Sequence, residues 1–117
     1  MFSVIYIYRV PQKNVDEFLR VQKAAGEIYR DYGSLEEETL ALTNLEVKYG
    51  CAPFLYAVEV EKDEDIFVSL SRFRDKAHHD HVMAQIDSDT QIDRLYQEIT
   101  GLIDIRRVLR GEFERVI

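Results

Sequence analysis

The chain has 117 residues, and its 22 acidic side chains against 15 Lys or Arg give a formal net charge of −7. Its 46% hydrophobic residues exclude a disordered protein, and a domain of this size buries about two-thirds of its unfolded surface. Binding to nucleic-acid phosphates is excluded by the acidic balance, because no basic run exceeds the pair Arg106-Arg107. The single cysteine, Cys51, excludes an intramolecular disulfide and a cysteine-rich zinc site.

The apolar segments of the chain are short. None approaches the roughly 20 residues of a membrane span. The first residues, Met-Phe-Ser-Val-Ile-Tyr, lack the basic segment of a signal peptide. We therefore expect a cytoplasmic protein with no membrane partner, and the absence of repeats and linkers predicts a single domain over residues 1–117.

The first third of the chain predicts a strand followed by a helix. Residues 2–10 are mostly β-branched or aromatic, which is typical of a strand buried on both faces. Asn14 and Glu17 have the spacing of a helix cap, so a helix is predicted to begin near residue 14 or 15. Its apolar stripe continues to Tyr32, and Gly33 is predicted to stop it.

The middle of the chain predicts strands. Alternating residues within 35–44 indicate a second strand, and Gly and Pro within 45–53 indicate a loop. Residues 54–61 and 66–73 are predicted to form a hairpin around an acidic turn at 62–65. Whether residues 35–61 form one long bent strand or two stays open.

Two helices and a strand are predicted for the last third, over residues 75–87, 89–100 and 102–113. This order is typical of the α+β class, and it fits a ferredoxin-like βαββαβ arrangement with an antiparallel sheet and the helices on one face. The first strand presents apolar side chains to both faces of the sheet. We therefore expect a homodimer in which a second subunit covers the face without helices.

Short motifs recur in a fixed order along the chain. They include Val10-Pro11, Gly33-Ser34-Leu35-Glu36, Ala77-His78 with Asp80, and Arg107 with Gly111, Phe113 and Glu114. Through these motifs nearly the whole chain resembles the YbaA-like family of small bacterial proteins of unknown function. It departs from the family at His79, Met83 and Thr90, where Arg, Asn and Pro are usual.

The resemblance places the chain in the dimeric α/β-barrel superfamily of ferredoxin-like folds. It implies a dimer whose two sheets face each other around shared interior space. The superfamily includes cofactor-free oxygenases, haem-degrading enzymes, isomerases and ligand-sensing regulators, so the resemblance supplies no reaction.

The densest group of polar side chains is His78-His79-Asp80-His81. At helical spacing only His78 and His81 share a face, and an ion there needs further ligands, so we predict no metal site. His79 falls on the apolar side of the helix, where it is either a candidate acid or base or a hydrogen-bonded buried side chain. Asp80 is a candidate to orient a neighbouring basic group, or an ordinary surface carboxylate.

Two arginines and three tyrosines are the remaining candidates for ligand binding. Arg72 and Arg107 lie within predicted strands among apolar neighbours, where each can bind a carboxylate or pair with a structural acid. Tyr6, Tyr8 and Tyr56 are candidates to line an apolar cavity, or they belong to the core or the dimer interface.

These residues lead to three functional hypotheses. The first is a homodimer that binds a small aromatic or carboxylate-bearing molecule, without a cofactor, in an apolar cavity between sheet and helices. The second is a cofactor-independent oxygenase or isomerase that uses His79 as proton carrier and Arg107 as anion stabiliser. The third is a structural or protein-interaction dimer.

Overall fold

A four-stranded antiparallel sheet carries the helices on one of its faces. The computed structural model describes residues 1–117. The elements in chain order are β1 (Phe2–Pro11), α1 (Val15–Asp31), β2 (Glu36–Ala41), β3 (Glu64–Phe73), α2 (Lys76–Ile86), α3 (Thr90–Thr100) and β4 (Leu109–Glu114). The strand order β2-β3-β1-β4 with all pairs antiparallel confirms the predicted α+β, ferredoxin-like arrangement.

Alternate residues of β1 point toward the helices and form the core. At one end of the sheet, Tyr8 and Val10 pack in a buried cluster with residues of α1, β3 and the α3 region, namely Phe18, Val21, Phe67, Ile99 and Ile103. At the other end, Phe2 and Val4 pack with Phe73, Val82 and Ile86. Tyr6 lies between these two clusters and contacts both.

The other face of the sheet has no helix over it. The strand register places on this face Ile5 and Ile7 of β1, Val68 and Leu70 of β3, Leu40 of β2, and Leu109 and Phe113 of β4. We call these residues the open-face patch. Leu40, Leu109 and Phe113 are 50%, 45% and 53% exposed. Within one chain, the predicted burial of β1 on both faces therefore holds only for its helix-facing residues.

The bounds of α2 and α3 and the end of α1 agree with the prediction. The side chains of Asp75 and Asp89 accept backbone N–H groups at the starts of α2 and α3, and Gly33 has a φ of 119° beyond the end of α1. Asn14 precedes α1 as predicted, but its side-chain nitrogen donates to the backbone oxygen of Leu102 at 2.9 Å instead of capping the helix. None of the helices has the length and apolar character needed to cross a membrane.

The predicted hairpin is wrong in its first strand. β3 pairs with β2, so residues 42–63 form a long connection that contains a 3-10 turn at Phe54–Tyr56. In this connection Tyr56 N–H donates to the backbone oxygen of Pro53 at 3.0 Å, and Val58 N–H donates to that of Phe54 at 3.1 Å. These backbone donors are used locally rather than in a strand ladder. The question left open for residues 35–61 is answered by the single six-residue strand β2.

The closing strand is shorter than predicted. Residues Ile105–Arg107 form a 3-10 turn, in which the side chain of Asp104 accepts from Arg106 N–H at 3.1 Å. β4 begins only at Leu109 and pairs with β1. Arg107 therefore lies in a turn and not, as predicted, within a strand.

Candidate functional site

A cavity of about 400 Å³ lies between the sheet and helices α1 and α3. Its floor consists of helix-facing residues of three strands: Tyr6 and Tyr8 of β1, Glu37 and Thr39 of β2, and Ser69 and Ser71 of β3. Its walls include Ala25 and Tyr29 of α1 and Ile92, Leu95, Tyr96 and Ile99 of α3. Ligand pockets measure about 300–1,000 Å³, so this space is large enough for a small organic molecule.

The cavity exists because β3 alternates large and small residues on its helix-facing side. Phe67 and Phe73 are buried at the two ends, whereas Ser69 and Ser71 between them leave the space unfilled. On α1 opposite, Gly26 lets β2 approach so closely that an added Cβ atom would lie 3.3 Å from the Cβ atom of Glu37. The alternate positions Phe67, Ser69, Ser71 and Phe73 were therefore a signal in the sequence that could have predicted the cavity.

Glu37 is the carboxyl group in the cavity floor. One oxygen accepts from the hydroxyl of Ser71 at 2.8 Å, and the other accepts from the hydroxyl of Ser34 at 2.5 Å. The nearby guanidinium of Arg30 donates to the backbone oxygen of Glu37 at 3.3 Å, and the carboxylate itself makes no ion pair. Burial raises the pKa of the Glu37 carboxyl, against the opposing effects of the two hydroxyls and of Arg30.

Glu37 was not among the predicted site residues because it lies in the acidic run Glu36–Glu38. Such a run is typical of a solvated surface. In the strand, Glu37 alternates with its neighbours and faces the helices, whereas Glu36 and Glu38 face the other side of the sheet. Strand alternation was the available signal, but it does not by itself say which of the two faces is covered.

Tyrosine side chains share the cavity floor and wall with Glu37. The rings of Tyr6 and Tyr8 stack with centroids 5.8 Å apart and 17° between their planes. Burial raises the pKa of Tyr8 to about 12 and also raises the pKa of Tyr29, so both phenols stay neutral near pH 7. Tyr6 and Tyr8 thus lie on the cavity, and their role in ligand binding stays a prediction.

His79 faces the sheet but lies outside this cavity. Its ring centroid is 4.8 Å from that of Phe2 and 4.9 Å from that of Phe73, and its side chain is buried. Nδ1 is 2.9 Å from a carboxylate oxygen of Asp80, and Nε2 is buried without a hydrogen-bond partner. Asp80 is exposed, and its hydrogen bonds, first with His79 and second with Lys76, lower its pKa. A role for His79 as acid or base stays a prediction.

Arg107 lies at the opposite end of β1 from His79. Its guanidinium donates to both carboxylate oxygens of Glu64, at 2.6 and 2.9 Å, and this pairing lowers the pKa of Glu64. Glu64 lies opposite Pro11 in the sheet, whereas His79 packs on Phe2. About 30 Å of strand separates these ends, so one chain does not bring His79 and Arg107 together.

Arg72 and Tyr56 also lie outside the cavity. Arg72 is on the face without helices, where its Nε atom is 3.2 Å from a carboxylate oxygen of Glu36. Tyr56 is 85% exposed in the 3-10 turn. Of the residues predicted to bind a ligand, the structure brings only Tyr6 and Tyr8 to one site. No group of three His, Cys, Asp or Glu side chains is arranged to hold a metal ion.

Comparison with a family model decides which family the sequence falls into. Residues 1–100 match the model described as "Protein of unknown function (DUF1428)". The chain belongs to the DUF1428 family. That description names no activity for the family. Comparison with curated proteins gives no match.

Solved structures similar to this DUF1428 protein share its fold. An uncharacterized NIPSNAP domain protein from Burkholderia xenovorans has a TM-score of 0.63 at 14% identity, with 99% of this chain and 95% of that chain covered. An antibiotic biosynthesis monooxygenase has a TM-score of 0.62 at 15% identity, with both chains covered at 100%. HapK from Hahella chejuensis has a TM-score of 0.56 at 17% identity, with coverage of 99% and 93%. At these identities the similarity shows the fold alone.

The partly buried carboxyl of Glu37 leads us to expect a pH-dependent effect on stability. We expect Glu37→Gln to raise the melting temperature near pH 7. The folded-state pKa is raised above 4.5, so above the folded pKa the carboxyl is ionised in both states and its full burial cost is present. Below the unfolded pKa it is protonated in both states and that cost is absent. The advantage of the variant should therefore shrink as the pH falls toward about 4.5.

Thermal melts followed by circular dichroism from about pH 8 to about pH 4 check this expectation. Glu27→Gln is the matched control, because Glu27 is an exposed carboxylate on α1 that does not line the cavity, and exposed charges contribute little to stability. A Glu37→Gln variant that melts lower than the wild type at pH 7 would show that the two serine hydrogen bonds outweigh the cost of burial.

Proposed function

We propose that this DUF1428 protein is a homodimer that binds a small, largely apolar molecule in the cavity between its sheet and helices. The observation that carries the proposal is the cavity itself, with a volume of about 400 Å³ and walls that are mostly apolar or aromatic. A few polar groups converge on it, including the carboxyl of Glu37 and the hydroxyls of Ser71 and Tyr8. Apolar walls with few, fixed polar groups are the usual composition of a small-molecule site.

The dimer in this proposal places a second copy on the open-face patch. The chain is a slab of 40 × 37 × 20 Å with a radius of gyration of 15.1 Å, against about 13 Å for a compact chain of this length. Two slabs stacked sheet to sheet would form a more compact particle and would bury the exposed side chains of Leu40, Leu109 and Phe113. The same proposal assigns the chain to the YbaA-like group, as a single cytoplasmic domain over residues 1–117.

The other two hypotheses are outcomes of the tests below. We do not propose the enzyme that uses His79 and Arg107 together, because these side chains lie at opposite ends of β1 and neither forms the floor of the cavity. A structural or interaction dimer is the conclusion if the cavity takes up no probe.

The cavity is tested by filling it. We expect Ala25→Phe to abolish the binding of para-ethylphenol, a neutral aromatic probe, because Ala25 lies on the wall and the larger ring occupies the space. Saturation-transfer NMR on the wild type and the variant measures this loss.

Ala84→Phe is the matched control, because Ala84 is exposed on α2 and does not line the cavity. It should bind the probe as the wild type does. Equal signals from para-ethylphenol in the wild type, Ala25→Phe and Ala84→Phe would mean that the probe binds outside the cavity. The absence of a signal in the wild type would contradict a ligand-binding cavity.

A further inference from the structure

We propose that the molecule bound in this cavity carries a protonated amine on an aromatic body, and that Glu37 is the residue that binds the amine. This inference rests on the proposed function, and it adds the chemical class of the ligand. It also differs from the sequence-based expectation of a carboxylate-bearing molecule, because Arg72 and Arg107, on which that expectation depended, lie outside the cavity.

No cation touches the carboxylate on the cavity floor. Lys23, Arg30, Glu37 and Glu38 all contribute to the cavity lining, but both cations are exposed side chains of α1 and Glu38 belongs to the other face of the sheet, whereas Glu37 is partly buried in the floor. Arg30 donates to the backbone oxygen of Glu37 and acts on its carboxylate only through space. A partly buried carboxylate without a cation in contact is costly, and a ligand ammonium group supplies that direct partner.

Glu37 also has unused hydrogen-bonding capacity. An ionised carboxylate has about four acceptor positions, and Ser34 and Ser71 occupy one on each oxygen. The two hydroxyls also hold the carboxyl in place on the cavity floor. An ammonium group has three donors and no acceptor, so it matches an acceptor that is already positioned.

Aromatic side chains surround the carboxyl on the cavity. Tyr8 and Tyr29 line the same cavity as Glu37, and burial above all, with a smaller contribution from the charge of Glu37, raises the pKa of both phenols. With Tyr6, they place three electron-rich rings on the same cavity, and ring faces attract cations at distances within about 6 Å. A ligand carboxylate at this position meets the charge of Glu37 and the negative faces of the rings instead.

The two sides of the cavity differ in chemistry. Glu37, Ser69 and Ser71 lie on the sheet, whereas α3 contributes the apolar side chains of Ile92, Leu95 and Ile99. A molecule with an amine at one end and an aromatic ring at the other matches both ends at once.

Three probes that share a phenol ring separate the chemical classes: tyramine has an amine, para-hydroxyphenylacetate has a carboxylate, and para-ethylphenol is neutral. Isothermal titration or NMR titration at neutral pH measures their affinities. We expect tyramine to bind about 10- to 100-fold more tightly than para-ethylphenol, because it adds a hydrogen bond to a charged group, and we expect para-hydroxyphenylacetate to bind most weakly.

Two matched variants locate the effect. Glu37→Gln keeps the shape of the side chain and should remove the advantage of tyramine over para-ethylphenol. Glu27→Gln removes an exposed charge of α1 that does not line the cavity and should keep the advantage. Circular dichroism spectra that match the wild type show that both variants are folded.

The possible results separate this inference from the proposed function. Binding of para-ethylphenol that is lost in Ala25→Phe, without a preference for tyramine, overturns the amine inference and leaves the cavity proposal intact. The amine inference is also overturned if para-hydroxyphenylacetate binds as tightly as tyramine or more tightly. It is overturned as well if the preference for tyramine survives in Glu37→Gln. Failure of all three probes to bind overturns both.

Discussion

Replacing Leu70 with aspartate is expected to dissociate the proposed dimer, with a loss of affinity of about 100-fold or more. Leu70 lies in the middle of β3, opposite Ile5 of β1 on one side and Glu38 of β2 on the other. In a sheet-to-sheet dimer this position is withdrawn from water. A carboxylate there loses its hydration and gains no cation directly opposite, so association becomes unfavourable while the fold of one chain keeps its helix-facing core.

Sedimentation velocity over a range of protein concentrations measures this change. Gln91→Asp is the control, because it adds the same charge at an exposed position in the first turn of α3, on the helix side of the sheet. This control should sediment as the wild type does. A wild type that is monomeric at micromolar concentration, or a Leu70→Asp variant that stays dimeric, would contradict the proposed interface.

Arg107→Met is expected to reduce the free energy of unfolding by roughly 2–4 kcal/mol at neutral pH, because it leaves Glu64 buried without its partner. The side chain of Glu64 is 6% exposed, and that of Arg107 is 25% exposed. Two parallel hydrogen bonds join them, and the remaining exposure of Arg107 places the expected cost toward the lower part of the range for buried pairs.

The pH dependence gives a second readout for the same pair. Arg107 lowers the pKa of Glu64 in the folded protein, so the pair stabilises the fold above the unfolded value of 4.5. That stabilisation is lost as the pH falls through the folded-state pKa. In Arg107→Met this acid-induced loss should be smaller, because the stabilisation is already absent at neutral pH.

Urea denaturation at several pH values measures both effects. Arg106→Met is the matched control, because the neighbouring Arg106 is 87% exposed and pairs only with Asp104 in its own turn. Its loss of stability should be much smaller than that of Arg107→Met, because an exposed ion pair contributes little. Equal stabilities of the two variants would show that Arg107 is not needed by Glu64, and would return it to the candidates for ligand binding.

Arg72 and Arg107 were predicted to bind the carboxylate of a ligand, but each pairs with a carboxylate of the protein itself. Arg107 was assigned to a strand face, yet the structure uses it to neutralise Glu64, which is 43 residues away along the chain. Arg72 does lie in a strand, but on the face without helices. An arginine that alternates with apolar residues in a strand therefore indicates only that its charge needs a partner. The tertiary contacts decide whether that partner is a ligand or another side chain.

The helices were predictable from the sequence because their signals are local. Asp75 and Asp89 each accept backbone N–H groups within three residues, and Gly33 ends α1 by its own backbone conformation. The inward direction of His79 likewise follows from its angle on α2 relative to Val82 and Ile86, which are all buried. These interactions span at most one or two helical turns, so a short window of sequence contains them.

The sequence by itself predicted the three helices, the four strands that pair in the sheet, their ferredoxin-like order and the apolar character of β1, but it also predicted a strand at 54–61 that the structure lacks. Tertiary structure decided that β3 pairs with Glu36–Ala41 and not with residues 54–61, and it thereby placed Glu37 on the cavity floor with Ser71. Strand pairing joins residues that are distant in the chain, and the apolar run at 54–61 satisfies the same local pattern as a true strand. Glu37 could therefore not be assigned to the cavity from the acidic run alone, because this assignment requires the register of β2 against β3.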